Sequence, residues 1–341
     1  MATNEPFHEQ NLGAIPIRSL GLTITGTRLE PLVAQVEREL VKAGLTELRC
    51  RFYLSTEWGV PFGNLAVAIP FYLARPDLTA FHVERHGHIE GFDQAEILRY
   101  LRHEIGHAVN YGYRLYEDEA WVKLFGSITQ PYNEEYRPEL FSRRHVHHLP
   151  GWYAQKHPDE DWAETFAVWL TPGRDWRREY AAWPEALRKL EWCEATIARV
   201  GAQPPLCTAT ELDVDVSEVG STLDEFYVTS GFEGEDPPPG LDGALRAMFE
   251  DMGFPETESD APRVAASDLL RRIERDLLAN VFRWTGHFPE RTRLLVRYLA
   301  ARADELAQVY PKDRELAMAL ALTTLVTALA VNHVQRGTYL P

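Results

Sequence analysis

Within the stretch from Leu101 to Val109 lies His103-Glu104-Ile105-Gly106-His107, two imidazoles flanking a carboxylate. On an α-helix, positions four apart lie one above the other, so His103 and His107 project from one face. Two imidazoles so placed can hold a single zinc ion, and Glu104 sits where its carboxylate reaches a metal-bound water. A five-residue pattern of this kind also arises by chance on helices. It becomes a site only where its flanks are helical and a third ligand follows.

The elements that must position these residues are legible on both sides. Asp93-Gln94-Ala95-Glu96 reads as a capping box with Asp93 as N-cap. Ile97, Leu98, Leu101, Ile105 and Val109 then recur at three- and four-residue spacing, an apolar stripe for a core, with His103, Glu104 and His107 largely beside it. Gly106 gives up about 1 kcal/mol of helix propensity against Ala, which points to close packing there. Downstream, Trp152 to Ala167 leads into a second helix. Pro158 suits its first turn, and Asp159, Glu160 and Asp161 complement the positive end of the helix dipole. Glu160 and Glu164 are four apart and point the same way, so one carboxylate can ligate zinc while the other orients a ligating histidine. His107 and Glu160 are 53 positions apart, enough for the second helix to pack across the first.

At these residues the chain resembles the gluzincin metallopeptidases, in which His-Glu-x-x-His is followed by Glu-x-x-Ala-(Asp/Glu). The closer likeness is to the lethal-factor-type branch and to bacterial proteins described as putative zinc-binding metallopeptidases. There a tyrosine lies seven residues before the glutamate ligand, and Ala-Glu follows it at +3 and +4. Tyr153, Glu160, Ala163 and Glu164 match those offsets. The resemblance spans residues 93 to 170 and says nothing about the C-terminal third. It implies an α+β, zincin-like catalytic domain, with a small sheet over the active-site helix and a second, Glu-bearing helix. It also implies one zinc ion on His103, His107 and Glu160, with Glu164 orienting a ligand and Tyr153 as a catalytic phenol. In zincin folds the edge strand of the sheet binds substrate backbone by strand addition, and Asn64-Leu65-Ala66-Val67-Ala68-Ile69 is the candidate edge. Glu164-Thr165-Phe166-Ala167 fits Glu-x-x-Ala as well, as in aminopeptidase-type gluzincins, where Glu164 is the ligand and Glu160 a substrate contact. Only Glu160 as ligand gives roles to Tyr153 and Glu164 together.

Three protein ligands leave zinc an open position for water, whose pKa falls to about 7 when bound. Glu104 then takes the water's proton and passes it to the leaving nitrogen. Tyr153 donates a hydrogen bond to the developing oxyanion, worth about 3 kcal/mol for one well-placed donor. The expected activity is zinc-dependent hydrolysis of an amide bond in a peptide or protein substrate, without a covalent intermediate. The alternative is a catalytically inactive zincin scaffold acting as a protein-binding module, which the presence of both Glu104 and Tyr153 disfavours.

Composition agrees with a globular enzyme: 341 residues, 45% hydrophobic and 25% charged, suffice for one large core and a smaller domain. Cys50, Cys193 and Cys207 are widely spaced and odd in number, so they make no disulfide framework and read as small buried hydrophobes. Met1 to Gln10 has no basic n-region or apolar h-region, so no signal peptide and a cytoplasmic location are expected. The charge-free run Leu316 to Val331 is shorter than the roughly 20 residues a bilayer needs, and the expectation is a buried helix with no membrane contact.

Three regions follow: a zincin-like domain over 1–205, an acidic linker or lid over 206–261, and a helical bundle over 262–341. In the first, Leu29 to Lys42 has helical spacing, Leu48 to Leu54 and Asn64 to Leu73 look like strands, and Trp176 to Val200 reads as an amphipathic helix. In the second, fifteen Asp and Glu between Glu211 and Asp260 face Arg246 alone, which leaves −14 of the chain's formal −16 in this stretch. That composition fits a solvated linker, or a regulatory lid over the cleft, broken by Pro237 to Gly240. The overall charge argues against nucleic acid as a partner. In the third, two apolar stripes and the charge-free run make helices that pack on the catalytic domain or bind a partner protein. His82, His86 and His88, and His145, His147 and His148, are weak candidates for a second metal site; the latter set is expected to line the cleft near Tyr153.

Overall fold

Leu29, Leu32, Val36 and Leu40 share a face at helical spacing and are buried on helix α1, Leu29–Lys42. The structure is a computed structural model, and it describes residues 12–132, 136–229, 240–252 and 260–339. Strands β1 (Arg51–Ser55) and β2 (Ala66–Pro70) pair in parallel, Arg51 opposite Ala66 and Ser55 opposite Pro70. Their alternation turns Leu54, Val67 and Ile69 into the main core and Tyr53, Ala66 and Ala68 to the opposite face. β2 is shorter than the apolar run that carries it, because Pro70 has no N–H to extend the ladder and Phe71–Leu73 winds into a 3-10 turn. Nor is β2 a free edge. The Ala68 N–H donates to the Gly59 carbonyl at 2.8 Å, so the connection between the strands covers the side that β1 leaves open.

Helix α2 (Pro76–His86) leads to α3 (Gln94–Tyr113), which starts at the capping box. The Asp93 carboxylate accepts the Glu96 N–H at 2.9 Å, and the Glu96 carboxylate accepts the Phe92 N–H at 3.0 Å. After α4 (Glu119–Phe125) and a 3-10 segment, Pro150–Gln155, comes α5 (Pro158–Leu170), with Pro158 in its first turn. Helices α3 and α5 cross closely at Gly106. A Cβ there would stand 2.8 Å from Ala163 Cα, and Trp162 Nε1 donates to the Gly106 carbonyl at 2.7 Å. The single helix expected over Trp176 to Val200 is two, α6 (Trp176–Glu179) and α7 (Pro184–Val200). Pro184 cannot donate into a continuing helix and begins a new one instead.

The acidic stretch is described in two parts. The part from Leu206 to Thr229 lies on the first core. Leu212 packs on Tyr53, Ala66 and Ala68, the outer face of the sheet, and the Leu65 N–H donates to Ala209 O at 2.7 Å. Helix α8 (Leu223–Thr229) then buries Leu223 and Tyr227 in that core. The part from Leu241 onward joins a second core. There α9 (Leu241–Met248), β3 (Glu250–Asp251), β4 (Arg263–Ala265), α10 (Ala266–Thr285), α11 (Pro289–Glu305), β5 (Gln308–Pro311) and α12 (Glu315–Arg336) pack together. The strands form an antiparallel sheet in the order β3-β5-β4. Met1 to Gln10 and Pro237 to Pro239 lie outside the described residues.

Helix α12 is long and apolar enough to cross a membrane by length and composition. It buries one face, Met318, Leu322, Val326, Leu329 and His333, against the bundle and leaves Leu316 and Leu320 exposed. Burial of the apolar run is therefore one-sided. Among the described residues the chain is mixed and mostly helical with two small sheets, consistent with the α+β class.

Candidate active site

The Gly106–Ala163 crossing sets the distance between α3 and α5, and the residues flanking it face one another. His103 Nε2 lies 3.0 Å from Glu160 Oε2. His107 Nε2 lies 3.3 Å from the same oxygen and 3.2 Å from His103 Nε2. All three residues are buried, and their ligand atoms fall within 4.8 Å of one another. Donors around one tetrahedral zinc at about 2.0–2.1 Å stand about 3.3 Å apart, so the observed spacing fits that ion.

Further side chains aim these donors. Glu164 Oε1 is 3.0 Å from His103 Nδ1, and its other oxygen accepts the backbone N–H groups of His148 at 3.0 Å and Leu149 at 2.8 Å. Asp159 Oδ2 is 3.0 Å from His107 Nδ1. Asp159 also accepts Asn110 Nδ2 at 2.7 Å and the Tyr111 hydroxyl. Tyr132 OH donates to Glu160 Oε1 at 2.5 Å and stands 3.5 Å from Tyr153 OH. Each imidazole thus has a carboxylate behind Nδ1 and turns Nε2 to the centre. The two α5 glutamates occupy different places: Glu160 is among the converging atoms, Glu164 behind His103.

Three carboxylates around two imidazoles leave the centre short of positive charge. Burial would lower the His103 pKa, yet hydrogen bonds that Glu160 and Glu164 accept from its ring raise it to about 9. At His107 burial is likewise outweighed, by Asp159 and Glu160. Burial would raise Glu160, but His107 and His103 hold it well below the usual carboxylate range. Glu104 goes the other way, raised by burial against the pull of the two imidazoles. A centre that draws protons onto both histidines is one a dication would satisfy, and two imidazole nitrogens with one carboxylate oxygen are a donor set zinc takes.

The centre opens into a cleft of about 440 Å³ whose walls include Trp58, Gly59, Val60, Phe62, Tyr132 and Tyr153. Trp58 to Phe62, between the strands, thus takes the place beside the centre for which Asn64 to Ile69 was the candidate. An adjoining pocket of about 250 Å³ shares Trp58, His103, Glu104 and Tyr153, and is completed by Glu90, Lys156 and, from the bundle, Phe282 and Glu290. Burial, with the charges of Glu290 and Glu104, pushes Glu90 up to about 7. No described residue of the acidic stretch lines either space.

Several partners carry no sequence signal. Tyr132 lies in a loop without periodicity, and the His148 and Leu149 contributions are backbone N–H groups. Asp159 was legible as a helix-dipole residue, though not as the partner of His107. The outlying histidines do other work. His82 Nδ1 pairs with Tyr227 OH at 2.7 Å in the core, His86 lies 3.6 Å from Glu290, and His145 lies 3.8 Å from Asp161, which Lys189 neutralises at 2.6 Å. His147 and His148 line a different cavity from the cleft beside Tyr153. Among the described residues, His103, His107 and Glu160 are the cluster spaced to hold a metal ion.

Residues 90–175 match the model of a family described as "Putative zinc-binding metallo-peptidase". That span contains both helices of the centre and the residues that converge there. Comparison with curated proteins and with solved structures gave no match.

Proposed function

We propose that the protein is a zinc-dependent peptidase that hydrolyses an amide bond, with one zinc ion held by His103, His107 and Glu160. The convergence of those three ligand atoms on the wall that also carries Glu104 is the observation on which this reading stands. The similarity of residues 90–175 to a zinc-binding peptidase family supports it. The finer likeness to the lethal-factor-type branch, and with it a zincin-like arrangement, rests on Tyr153 standing seven residues before Glu160 and Glu164 four after.

Zinc, when bound, supplies Lewis acidity and lowers the pKa of water toward neutrality. Glu104 accepts a proton from the attacking water at its carboxylate and returns it to the leaving nitrogen. Burial raises the Glu104 carboxyl above its ordinary value, which strengthens it as a base toward that water. Burial holds the Tyr153 phenol protonated, so its hydroxyl donates to the carbonyl oxygen as negative charge develops there. Glu164 accepts the Nδ1 proton of His103, and the Asp159 carboxylate stands 3.0 Å behind His107 Nδ1, so both rings turn Nε2 to the centre. Tyr132 fixes the free oxygen of Glu160.

Zinc-loaded protein and its Glu104→Gln variant, assayed side by side on a peptide library, test this. Zinc content should be the same in both, with cleavage confined to the parent. Equal cleavage by the variant sinks the mechanism; failure of either protein to retain zinc sinks the metal assignment.

A further inference from the structure

A cavity of about 760 Å³ is lined from α3 by Arg99 and Arg102, from α10 by Arg283 and Trp284, and by Arg174 and the loop His147 to Pro150. It shares no lining residue with the metal cluster or its cleft. In a chain with 51 acidic and 35 basic residues, no Asp or Glu lines it among the described residues. Two of its arginines are neutralised. Arg102 makes a two-pronged pair with Glu39 at 2.8 and 2.9 Å, and Arg174 does the same with Glu179 at 2.7 and 2.5 Å. The guanidinium groups of Arg99 and Arg283 have no hydrogen bond or ion pair among the described residues. They come from two helices, one from each core, and leave two positive charges facing one space. On the same wall, His147 has a buried Nε2 with no hydrogen-bond partner.

Two uncompensated guanidiniums suit a doubly charged oxyanion, because each planar fork can take two oxygens of a phosphoryl group. The volume exceeds what a bare phosphate or pyrophosphate fills and lies in the range of sites for small organic ligands. Trp284 is 56% exposed, and its indole is a face on which a planar ring can stack. We propose that this cavity binds a phosphorylated small molecule carrying a planar ring, of nucleotide size, with Arg99 and Arg283 on its phosphates and Trp284 against its ring.

Occupancy would reach the catalytic centre through one loop. The backbone N–H groups of His148 and Leu149 hold Glu164, which stands behind His103, while His148 Nε2 lies 2.9 Å from the Arg99 carbonyl. The ligand therefore rests on the back of the loop whose front holds Glu164, the carboxylate behind His103, and it acts as a regulator of that centre.

ADP, inorganic pyrophosphate and adenosine, each titrated onto the full chain with and without zinc, provide the test, read by calorimetry and tryptophan fluorescence. ADP should bind saturably in both metal states and quench fluorescence, with pyrophosphate weaker and adenosine weaker still. Arg99→Gln and Arg283→Gln should each weaken ADP about tenfold or more. Arg283 is exposed, so its variant keeps the fold, which circular dichroism checks. ADP should also slow hydrogen exchange at His148 and Leu149. Adenosine binding as tightly as ADP overturns the proposal, as does ADP binding that needs zinc or survives unchanged in the double variant. Because binding is read on zinc-free protein, its failure is separate from any failure of the peptidase assignment.

Discussion

Glu160 and Glu164 are one helical turn apart and differ in what they face, and at the scale of single residues that difference has a measurable consequence. Loss of a ligand should cost more zinc affinity than loss of a group that orients one. In competition with a chelator, Glu160→Gln should release zinc by more than about 100-fold, while Glu164→Gln and Asp159→Asn should each weaken it by about 10- to 100-fold. The reverse order would make Glu164 the ligand. The two histidines, Glu104 and the paired glutamates were legible because helical spacing alone puts residues four apart on one face. Asp159 was not legible as a partner of His107. Its contact spans two helices, and no local pattern encodes which residue of one helix meets which of the other.

At the scale of elements, the centre depends on how near α3 and α5 approach. Gly106→Ala should gain about 1 kcal/mol in an open helix, from propensity alone. Here the new methyl would meet Ala163 backbone at 2.8 Å, and neither helix can yield by turning a side chain. The expectation is a net loss of about 1–3 kcal/mol in denaturant unfolding, with weaker zinc binding from the spread of Glu160 away from the histidines. A stabilised variant with unchanged zinc affinity would refute that account. The capping box at Asp93, the start of α5 at Pro158 and the whole of α1 were readable in the sequence, since caps and apolar stripes are local signals. The break before Pro184 had its signal in the proline itself. The side of β2 that Gly59 covers had none, because strand neighbours are chosen by packing rather than by the strand's own residues.

At the scale of the molecule, each core encloses a histidine that must stay neutral. Burial pushes His82 in the first core down to about 3, with His86 and His88 adding to it. Burial does the same to His287 beside the second, helped by His333 and Arg291. Folded values below the unfolded value of about 6.5 mean that unfolding takes up protons. Their contribution to stability is complete above pH 6.5 and is lost as pH falls toward 3, by about 1.4 kcal/mol per pH unit for each group. Between pH 7 and pH 5 the urea midpoint of the parent should therefore fall relative to that of His82→Gln or His287→Gln. The same pH dependence in parent and variants would contradict it. The two cores also share a mechanical element. Gly151 and Trp152, just before Tyr153, both adopt left-handed backbone, at φ 80° and 63°. For Trp152 that conformation is unfavourable by about 1–2 kcal/mol. Phe282 of α10 fills the space where a Gly151 Cβ would stand, 2.6 Å from its ring, and Trp152 Nε1 donates to the Trp284 carbonyl at 3.3 Å. The bend that leads to Tyr153 is thus packed and hydrogen-bonded against a helix of the other core, which ties the two together. Calorimetry should record one cooperative transition, with van't Hoff and calorimetric enthalpies equal, for a chain with two large hydrophobic cores.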